Sequence, residues 1–220
     1  MSSASPPSID DLLRDASFQD ATVSRLDLRG AELTDKEFTH CVFRGLRADA
    51  STWKRVRLED CVFEDCDLTR AQFPLARLHG VSFRRSKLMG VDWSSLGSNP
   101  SLGFEECDLR YASFVKLNLR KTPFRSCKAL ESAFIACHLG ESDFTDTDLA
   151  GANFDDCDLS KANLATARNA FVSPAKNRVK NARVSVETAV LLALFHGMKV
   201  AGYTDTRSDD EAFSARGKRR

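Results

Sequence analysis

Apolar residues recur at every fifth position along most of this sequence. The series runs from Phe18 to Trp93, resumes one residue out of step at Phe104 and continues to Leu164. Twelve of the fifteen phenylalanines and both tryptophans lie on it. An α-helix repeats a face at intervals of about 3.6 residues and a β-strand at intervals of two. The five-residue period fits neither, so it indicates a chain of short units that stack on one another.

The position two residues before each of these apolar residues is mostly small. All seven cysteines occupy it: Cys41, Cys61, Cys66, Cys107, Cys127, Cys137 and Cys157. Zinc motifs usually space cysteines by two to four residues and thioredoxin-like sites need C-x-x-C, whereas Cys61 and Cys66 are five apart. Free cysteine behaves as a small, buried hydrophobe. We therefore interpret this slot as a tight interior corner without a metal or redox role, and we expect no disulfide framework.

The residues around the small slot form a motif. It stands as Cys66-Asp67-Leu68, Ala152-Asn153-Phe154, Cys157-Asp158-Leu159 and Ala162-Asn163-Leu164. This motif resembles that of the pentapeptide-repeat family, and the resemblance covers about residues 16–170. It implies an all-β solenoid, a right-handed quadrilateral parallel β-helix of about seven to eight coils with four pentapeptides in each coil.

Steps of twenty residues, the length of one such coil, sort the apolar residues into four columns. Two opposed columns are rich in aromatic residues, and the other two are mostly aliphatic. The aromatic columns are Val23, Phe43, Phe63, Phe83, Phe104, Phe124, Phe144 and Leu33, Trp53, Phe73, Trp93, Phe114, Phe134, Phe154. The one-residue insertion within residues 94–103 leaves every column in place, which favours a bent corner there over a binding loop.

An outward row of charged residues alternates in sign from coil to coil. It runs Asp27, Arg47, Asp67, Lys87, Asp108, Lys128, Asp148, Arg168. A row of uniform sign would place like charges opposite each other in neighbouring strands. Much of the surface charge therefore has a structural explanation.

Both ends of the repeat are expected to carry a cap. Residues 1–15 form an N-terminal cap, with Ser8 and Asp11 as a capping box for a short helix. Residues 171–202 form a connector and a C-terminal α-helix from about Val186 to His196, with Ser185 as its N-cap, and residues 203–220 form a disordered tail. The helix is apolar nearly all round, so one side should cover the last coil and another should join a second copy as a homodimer. The dimerisation residues of this hypothesis are Val190, Leu191, Leu194 and Phe195.

The overall charge excludes several classes of function. Lys and Arg number 32 against 31 Asp and Glu, so nothing global indicates direct binding of nucleic acid or membrane. No signal peptide or membrane-spanning run is visible, which favours a cytoplasmic protein. The four histidines do not share a stacked row, and no phosphate loop or nucleophile motif occurs. We expect no catalytic residues, no metal and no cofactor, and hence a non-enzymatic protein.

The densest local cluster of charge is acidic and lies in residues 140–160. Its members are Glu141, Asp143, Asp146, Asp148, Asp155, Asp156 and Asp158. The chain is similar to the quinolone-resistance and fluoroquinolone-resistance members of the family, which implies a protein partner, DNA gyrase, and protection of that enzyme from a drug or toxin. The acids are then the candidate partner-binding surface. The alternative is a solvated end of the rod, partly paired with Lys121, Lys128, Lys161 and Arg168.

Two further features bear on the partner. Residues 16–170 carry 23 acids and 21 bases, so the whole rod is a poor mimic of duplex DNA, which bears one charge per about 1.7 Å. This near-neutral rod favours a second hypothesis, a structural or adaptor scaffold that binds an unrelated protein. Val115 and Ile135 stack in an outward slot with Pro74 and Leu75 farther along, which suggests a modest apolar patch.

Overall fold

The chain winds into a parallel β-solenoid of about eight coils, followed by a short C-terminal helix. A computed structural model describes residues 7–97 and 99–203. The strand pairings in it are parallel and join residues twenty apart, such as Phe43 with Phe63, or twenty-one apart across the insertion, such as Phe83 with Phe104. The fold class predicted from the sequence is confirmed.

The strands are short because each side of the square holds only one pentapeptide. The first helix and the strands of the N-terminal half are α1 (Ile9–Arg14), β1 (Ser17–Gln19), β2 (Thr22–Ser24), β3 (Glu32–Thr34), β4 (Glu37–Thr39), β5 (Val42–Arg44), β6 (Thr52–Lys54), β7 (Arg57–Glu59), β8 (Val62–Glu64), β9 (Arg77–His79) and β10 (Val81–Arg84). The remaining elements are β11 (Leu102–Glu105), β12 (Ser113–Val115), β13 (Phe124–Arg125), β14 (Ala133–Ile135), β15 (Asn153–Asp155), β16 (Asn163–Leu164), β17 (Arg183–Val184) and α2 (Val186–Phe195).

The four columns define four faces, which we number in chain order. Face 1 carries the sheet β1-β4-β7-β9, and face 2 carries the sheet β2-β5-β8-β10-β11-β13. Face 3 is joined by single bridges such as Asp27 to Arg47, and face 4 carries β3-β6 and β12-β14-β15. Faces 2 and 4 lie opposite each other, because a coil visits the faces in order. Coils are numbered from the N-terminus, so the inward residues of face 4 are Leu33, Trp53, Phe73, Trp93, Phe114, Phe134 and Phe154 in coils 1 to 7.

Aromatic rings from faces 2 and 4 fill the centre of the solenoid. Rings on one face stack on each other, as Phe114 does on Phe134 with centroids 4.8 Å apart. Rings from opposite faces meet edge to face, as Phe124 does with Phe134 at 5.6 Å. Both geometries suit the aromatic quadrupole. The interior is therefore a packed core, and function must use the outer surface.

The ends are capped in part by contacts that the repeat pattern does not encode. Ser8 and Asp11 form the expected capping box at the start of α1, and Leu12 is fully buried on the first coil. Lys36 occupies an interior small-residue slot, where its Nζ donates to the carbonyls of Leu13 and Asp15 at 2.8 and 2.7 Å. These two hydrogen bonds offset part of the cost of burying the ammonium group. Lys36 thus fixes the end of α1 to the solenoid.

The solenoid extends beyond residue 170, the end predicted from the repeat motif. Arg178 bridges to Asp158, and β17 pairs with β16. Asn177 takes the small-residue slot, and its Nδ2 donates to the carbonyl of Phe154 at 2.9 Å. The side-chain amide of Asn177 makes hydrogen bonds where other coils pack a small residue. The chain after residue 170 therefore continues the solenoid although its sequence lacks the repeat motif. The tail expected from 203 onward lies outside the described residues after Tyr203.

Helix α2 begins where the sequence predicts. The Ser185 hydroxyl accepts from the Thr188 amide at 3.1 Å, and Gly197 follows the helix with a φ of 78°. No helix in the described segments is long and apolar enough to cross a membrane.

The two tryptophans differ in how their indole N–H groups are satisfied. Trp53 Nε1 donates to the Ser51 hydroxyl at 2.9 Å, whereas Val91 holds the corresponding slot before Trp93. Trp93 Nε1 is buried without a hydrogen-bond partner within the described residues. An unsatisfied buried donor costs about 1–3 kcal/mol.

We expect both Trp93→Phe and Trp53→Phe to lower the free energy of unfolding. The loss should be smaller for Trp93→Phe, by a difference of about 1–2 kcal/mol. Both changes remove the same ring volume, but only Trp53→Phe breaks a hydrogen bond. Urea unfolding followed by circular dichroism measures the difference. Equal losses in the two variants would contradict the assignment.

Candidate protein-binding surfaces

Each pentapeptide presents three outward residues. They are the residue before the column residue, the residue after it, and the corner residue that follows. The corner residues adopt a left-handed backbone, with φ of 54° at Asp65 and 58° at Asp146. This conformation favours glycine, asparagine and aspartate over other side chains.

The seven predicted partner-binding acids do not converge on one face. Asp143 and Asp146 lie on face 2, Asp148 on face 3, and Asp155 and Asp156 on face 4. Asp158 lies on face 1, and Glu141 lies at the corner between faces 1 and 2. Acids that follow each other closely in sequence are spread around the square, because a coil turns through one corner every five residues. The cluster is therefore a belt around coils 7 and 8.

Several acids of this belt are neutralised by neighbouring cations. Glu141 accepts from Arg120 at 2.7 Å, and this hydrogen bond lowers the pKa of its carboxyl. Partial burial raises the pKa of Asp143, but bonds from Thr145 and Arg125 outweigh it, and the pKa lies below its ordinary value.

Asp155 and Asp158 also have cationic neighbours. Asp155 lies 3.5 Å from Lys176, and Asp158 lies 3.5 Å from Arg178. The pKa of Asp158 is lowered chiefly by the hydroxyl and backbone N–H of Ser160. Of the bases suggested by the sequence, Lys121 lies 3.9 Å from Glu141, while most contacts go to Arg120, Arg125, Lys176 and Arg178 instead.

Two corner acids keep an open charge. Asp146 and Asp156 are exposed, and neither forms an ion pair within the part of the chain that the structure describes. They lie on opposite faces, 2 and 4. A partner attracted by the belt would therefore meet these carboxylates at two separate edges of the rod.

The alternating charge row lies in register on face 3. The backbone of Asp67 forms β-bridges with Arg47 in the preceding coil and with Lys87 in the next. The side chains of one such pair are in contact, since Lys87 Nζ lies 3.1 Å from the Asp67 carboxylate. Exposed pairs of this kind contribute about 0–1 kcal/mol each. Their main consequence is that most of the surface charge is compensated along the rod.

The insertion is hydrogen-bonded to the stretch of the solenoid that precedes it in the chain. The Gly97 amide donates to the Ala76 carbonyl at 3.2 Å, and the Ser101 amide donates to the Leu78 carbonyl at 3.0 Å. Leu96 and Leu102 are buried. These contacts agree with a bent corner, while Ser98 lies outside the described residues.

Face 4 carries an apolar strip, which we define as Pro74, Leu75, Val115, Ile135 and Ala136. Leu75 is 67% exposed and adopts a left-handed φ of 59°. Because the side chain is exposed, it gains little from the hydrophobic effect in one chain. The left-handed backbone of a residue other than glycine costs about 1 kcal/mol. Neither the core nor the backbone explains this residue.

The outer side of α2 is apolar as well. Thr188 is buried towards the last coil, and Leu191 beside it lines a surface depression of about 320 Å³. Phe195 packs against Phe171 with centroids 5.0 Å apart, yet it remains half-exposed. Val186, on the opposite side of the helix, is 83% exposed. Of the predicted dimerisation residues, Val190, Leu191 and Leu194 are half-buried.

All seven cysteines are buried free thiols. Each Sγ donates to the carbonyl two residues earlier, as Cys66 Sγ does to Glu64 at 3.3 Å. All except Cys127 also donate to a carbonyl of the preceding coil, as Cys66 Sγ does to Phe43 at 3.4 Å. Burial raises the pKa of the Cys66 thiol to about 11, because the apolar core disfavours the thiolate. Within residues 7–97 and 99–203, no three metal-ligating side chains gather in one group.

We expect the native thiols to be almost unreactive towards Ellman's reagent at pH 8, and all seven to react in guanidinium chloride. Cys66→Ser should keep the fold, because Ser86 already holds the same slot in the next coil, and should titrate with one thiol fewer. Rapid labelling of any cysteine in the native protein would contradict the packing role.

Three family models match the chain, all of them pentapeptide repeats. "Pentapeptide repeat region" matches residues 101–168, "Pentapeptide repeats (9 copies)" matches residues 28–72, and "Pentapeptide repeats (8 copies)" matches residues 55–92. Together with the coil geometry, these matches define the class: the chain belongs to the pentapeptide-repeat family.

Within that family, the chain resembles quinolone-resistance proteins. It is 30% identical over 76 residues to the quinolone resistance pentapeptide repeat protein QnrB96 of Scandinavium goeteborgense, a match that spans 34% of this chain and 36% of that relative. A trypsin-treated form of QnrB1, a plasmid-mediated fluoroquinolone resistance protein, superposes with a TM-score of 0.62 at 19% identity, over 84% of this chain and 89% of QnrB1.

The same fold also serves a different process. HetL, a protein of the cyanobacterium Nostoc involved in heterocyst differentiation regulation, superposes with a TM-score of 0.50 at 19% identity, over 77% of this chain and 85% of HetL. Likeness at this level of identity defines the fold alone.

Proposed function

We propose that the protein is a non-enzymatic, cytoplasmic binding module that binds DNA gyrase and protects it from a quinolone-type drug or a toxin. The observation that carries the proposal is the filled aromatic centre, which leaves only the outer faces for function. The sequence match to a quinolone resistance protein supports this choice of partner. Gyrase itself is inferred from the resemblance to the resistance members of the family.

The charge distribution constrains how such binding would work. Since most acids are paired along the rod, recognition by a continuous DNA-like charge is not supported. Asp146 and Asp156 are the exposed corner acids of the belt without an ion pair among the described residues, and we assign partner contact to them and to the apolar surfaces.

The decisive experiment adds the purified protein to gyrase supercoiling and quinolone-induced cleavage assays. We expect more drug to be needed for half-maximal cleavage. No effect on supercoiling or cleavage at micromolar protein would reject gyrase as the partner.

A matched pair of variants tests the acidic belt. Asp146→Asn with Asp156→Asn should weaken the effect on gyrase, whereas Glu106→Gln with Glu131→Gln should not. All four residues are corner residues of left-handed backbone, so the pairs differ mainly in position on the rod.

A second candidate function is a scaffold for an unrelated protein, favoured by the near-neutral rod. It predicts no gyrase effect together with recovery of a partner unrelated to DNA topology in an unbiased pulldown.

A further inference from the structure

Face 4 differs from the other faces in its middle coils. Its outward residues in coils 3 to 6 are mostly uncharged, and the apolar strip lies among them. Charge returns at the two ends of the face. Lys54 and Arg55 lie in coil 2, and Asp155 and Asp156 lie in coil 7. The strip is thus bounded by basic residues on one side and acidic residues on the other.

The arrangement is self-complementary when one copy is inverted. A two-fold axis perpendicular to the rod, between the rungs of Trp93 and Phe114, exchanges coil 2 with coil 7 and coil 3 with coil 6. Each outward row then meets the same row of the second copy in reverse order. Lys54 faces the second copy's acid at position 155, and Arg55 faces the acid at position 156.

The positions of the middle coils match under the same operation, and the charged corner residue Lys116 comes opposite Ser95. Pro74 comes opposite Ile135 of the other copy, and Leu75 comes opposite Ala136. In the row before the column residue, Asp92 comes opposite Ser113, whose hydroxyl is a suitable donor to a carboxylate. A parallel arrangement would instead place the basic coil 2 of one copy against coil 2 of the other, and the acidic coil 7 against coil 7, and like charges at the same level disfavour association.

Two of the four charges at the ends are unpaired within one copy, and the other two would be shared with the second copy. Lys54 and Asp156 form no ion pair within the described residues, and Asp155 lies 3.5 Å from Lys176. Arg55 pairs with Asp35 in its own copy, so it would be shared with the partner. On face 3, by contrast, the sign alternates at each coil, and the charges compensate each other within one rod.

We propose that face 4 is the interface of an antiparallel homodimer in which the apolar strips of two copies pack together. Leu75 is the main apolar contact residue of this interface. Burial against a second copy would explain a leucine at an exposed corner of left-handed backbone. The contact is independent of α2 and of the identity of any other partner.

The size of the face sets the strength. Six coils at about 4.8 Å each and three extended residues across, at about 3.3 Å each, give an area of roughly 300 Å² per copy. The total of roughly 600 Å² lies well below the about 1,200 Å² of stable complexes, so the contact can only be a weak, transient one. We expect a dissociation constant on the order of 100 µM, which rises with salt because charged pairs contribute.

The test uses sedimentation equilibrium of the full chain up to several hundred micromolar. The background carries Val186→Glu and Val190→Glu, so that association through α2 does not contribute. Lys54→Glu alone and Asp155→Lys alone should each weaken association about tenfold, because the two-fold axis places each change in two contacts. The double variant should recover the original affinity to within about threefold. Lys54 and Asp155 are five coils apart in one copy, so a rescue within one chain is excluded by distance.

A matched pair of substitutions tests the strip. Ile135→Glu should abolish association, whereas Leu130→Glu should not, since Leu130 is the corresponding half-buried residue of the same coil on face 3. Circular dichroism confirms that each variant is folded. A protein that stays monomeric at several hundred micromolar, or a double charge variant that is as weak as the single ones, would overturn the proposal.

Discussion

Replacing Phe124 with alanine is expected to lower the free energy of unfolding by about 3–5 kcal/mol, the range for a buried phenylalanine. Phe124 is fully buried and stacks on Phe104 and Phe144, with centroids 5.1 and 4.9 Å away. It also meets Phe114 and Phe134 edge to face at 5.7 and 5.6 Å. The change therefore leaves a cavity in contact with four rings.

The loss should be larger than for a helix bundle of equal size, because a solenoid cannot close the gap by moving one element. Each rung is fixed from above and below by ladder hydrogen bonds, such as the one from the Phe124 amide to the Asp143 carbonyl at 2.7 Å. Relaxation would have to shift several coils together.

Urea unfolding, followed by circular dichroism and by tryptophan fluorescence, measures the effect. Arg125→Ala is the matched control, because it removes the adjacent outward residue and its 2.7 Å pair with Asp143 at a cost of about 0–1 kcal/mol. Equal losses for Phe124→Ala and Arg125→Ala would contradict the central role of the aromatic columns.

The core was predictable from the sequence because its period is unusual. A side chain that returns to the same wall after twenty residues leaves a signature that neither helices nor ordinary strands produce. The stacking of Phe43 on Phe63 at 4.4 Å and the continuity of Phe83 with Phe104 across the insertion both follow from that count. The capping box of Ser8 and the N-cap at Ser185 were accessible for a similar reason, since local hydrogen bonding determines them.

The interior polar residues could not be placed by the same count. Lys36 and Asn177 occupy small-residue slots through specific hydrogen bonds to the carbonyls of Leu13 and Phe154. Those partners are more than twenty residues away in sequence. One signal in the sequence does indicate that the coil continues past residue 170. Asn177 and Ala182 are five residues apart, and so are Val179 and Val184.

The acidic belt shows a limit of a different kind. Proximity in sequence suggested one acidic surface, whereas the fold turns a corner every five residues and distributes the acids over all four faces. Ion pairing then depends on residues one coil away, such as Arg120 for Glu141. The net charge of a segment is therefore a poor guide to the field on any one face of a quadrilateral solenoid.

Charging the outward side of α2 is expected to convert a dimer into a monomer at low micromolar protein. Thr188 is buried against the last coil, and a turn of about 3.6 residues places Val186 and Val190 on the opposite side of the helix. An isolated ten-residue helix is marginal in water, so an apolar outer side exposed in one copy favours cover by another. Light scattering coupled to size-exclusion chromatography should give twice the mass of one chain for the natural protein and the mass of one chain for Val186→Glu with Val190→Glu.

A second pair of substitutions separates the two sides of the helix. Leu191→Glu with Leu194→Glu should also give a monomer, but Leu191 lines the depression beside Thr188, so this pair should loosen α2 from the last coil and increase its cleavage by chymotrypsin, for example after Phe195. Glu187→Gln is the control and should leave the mass unchanged. The low protein concentration matters, because association through face 4 is weak and contributes little there. A natural protein that runs with the mass of one chain, or an outward pair that still runs as a dimer, would show that α2 serves only as a cap.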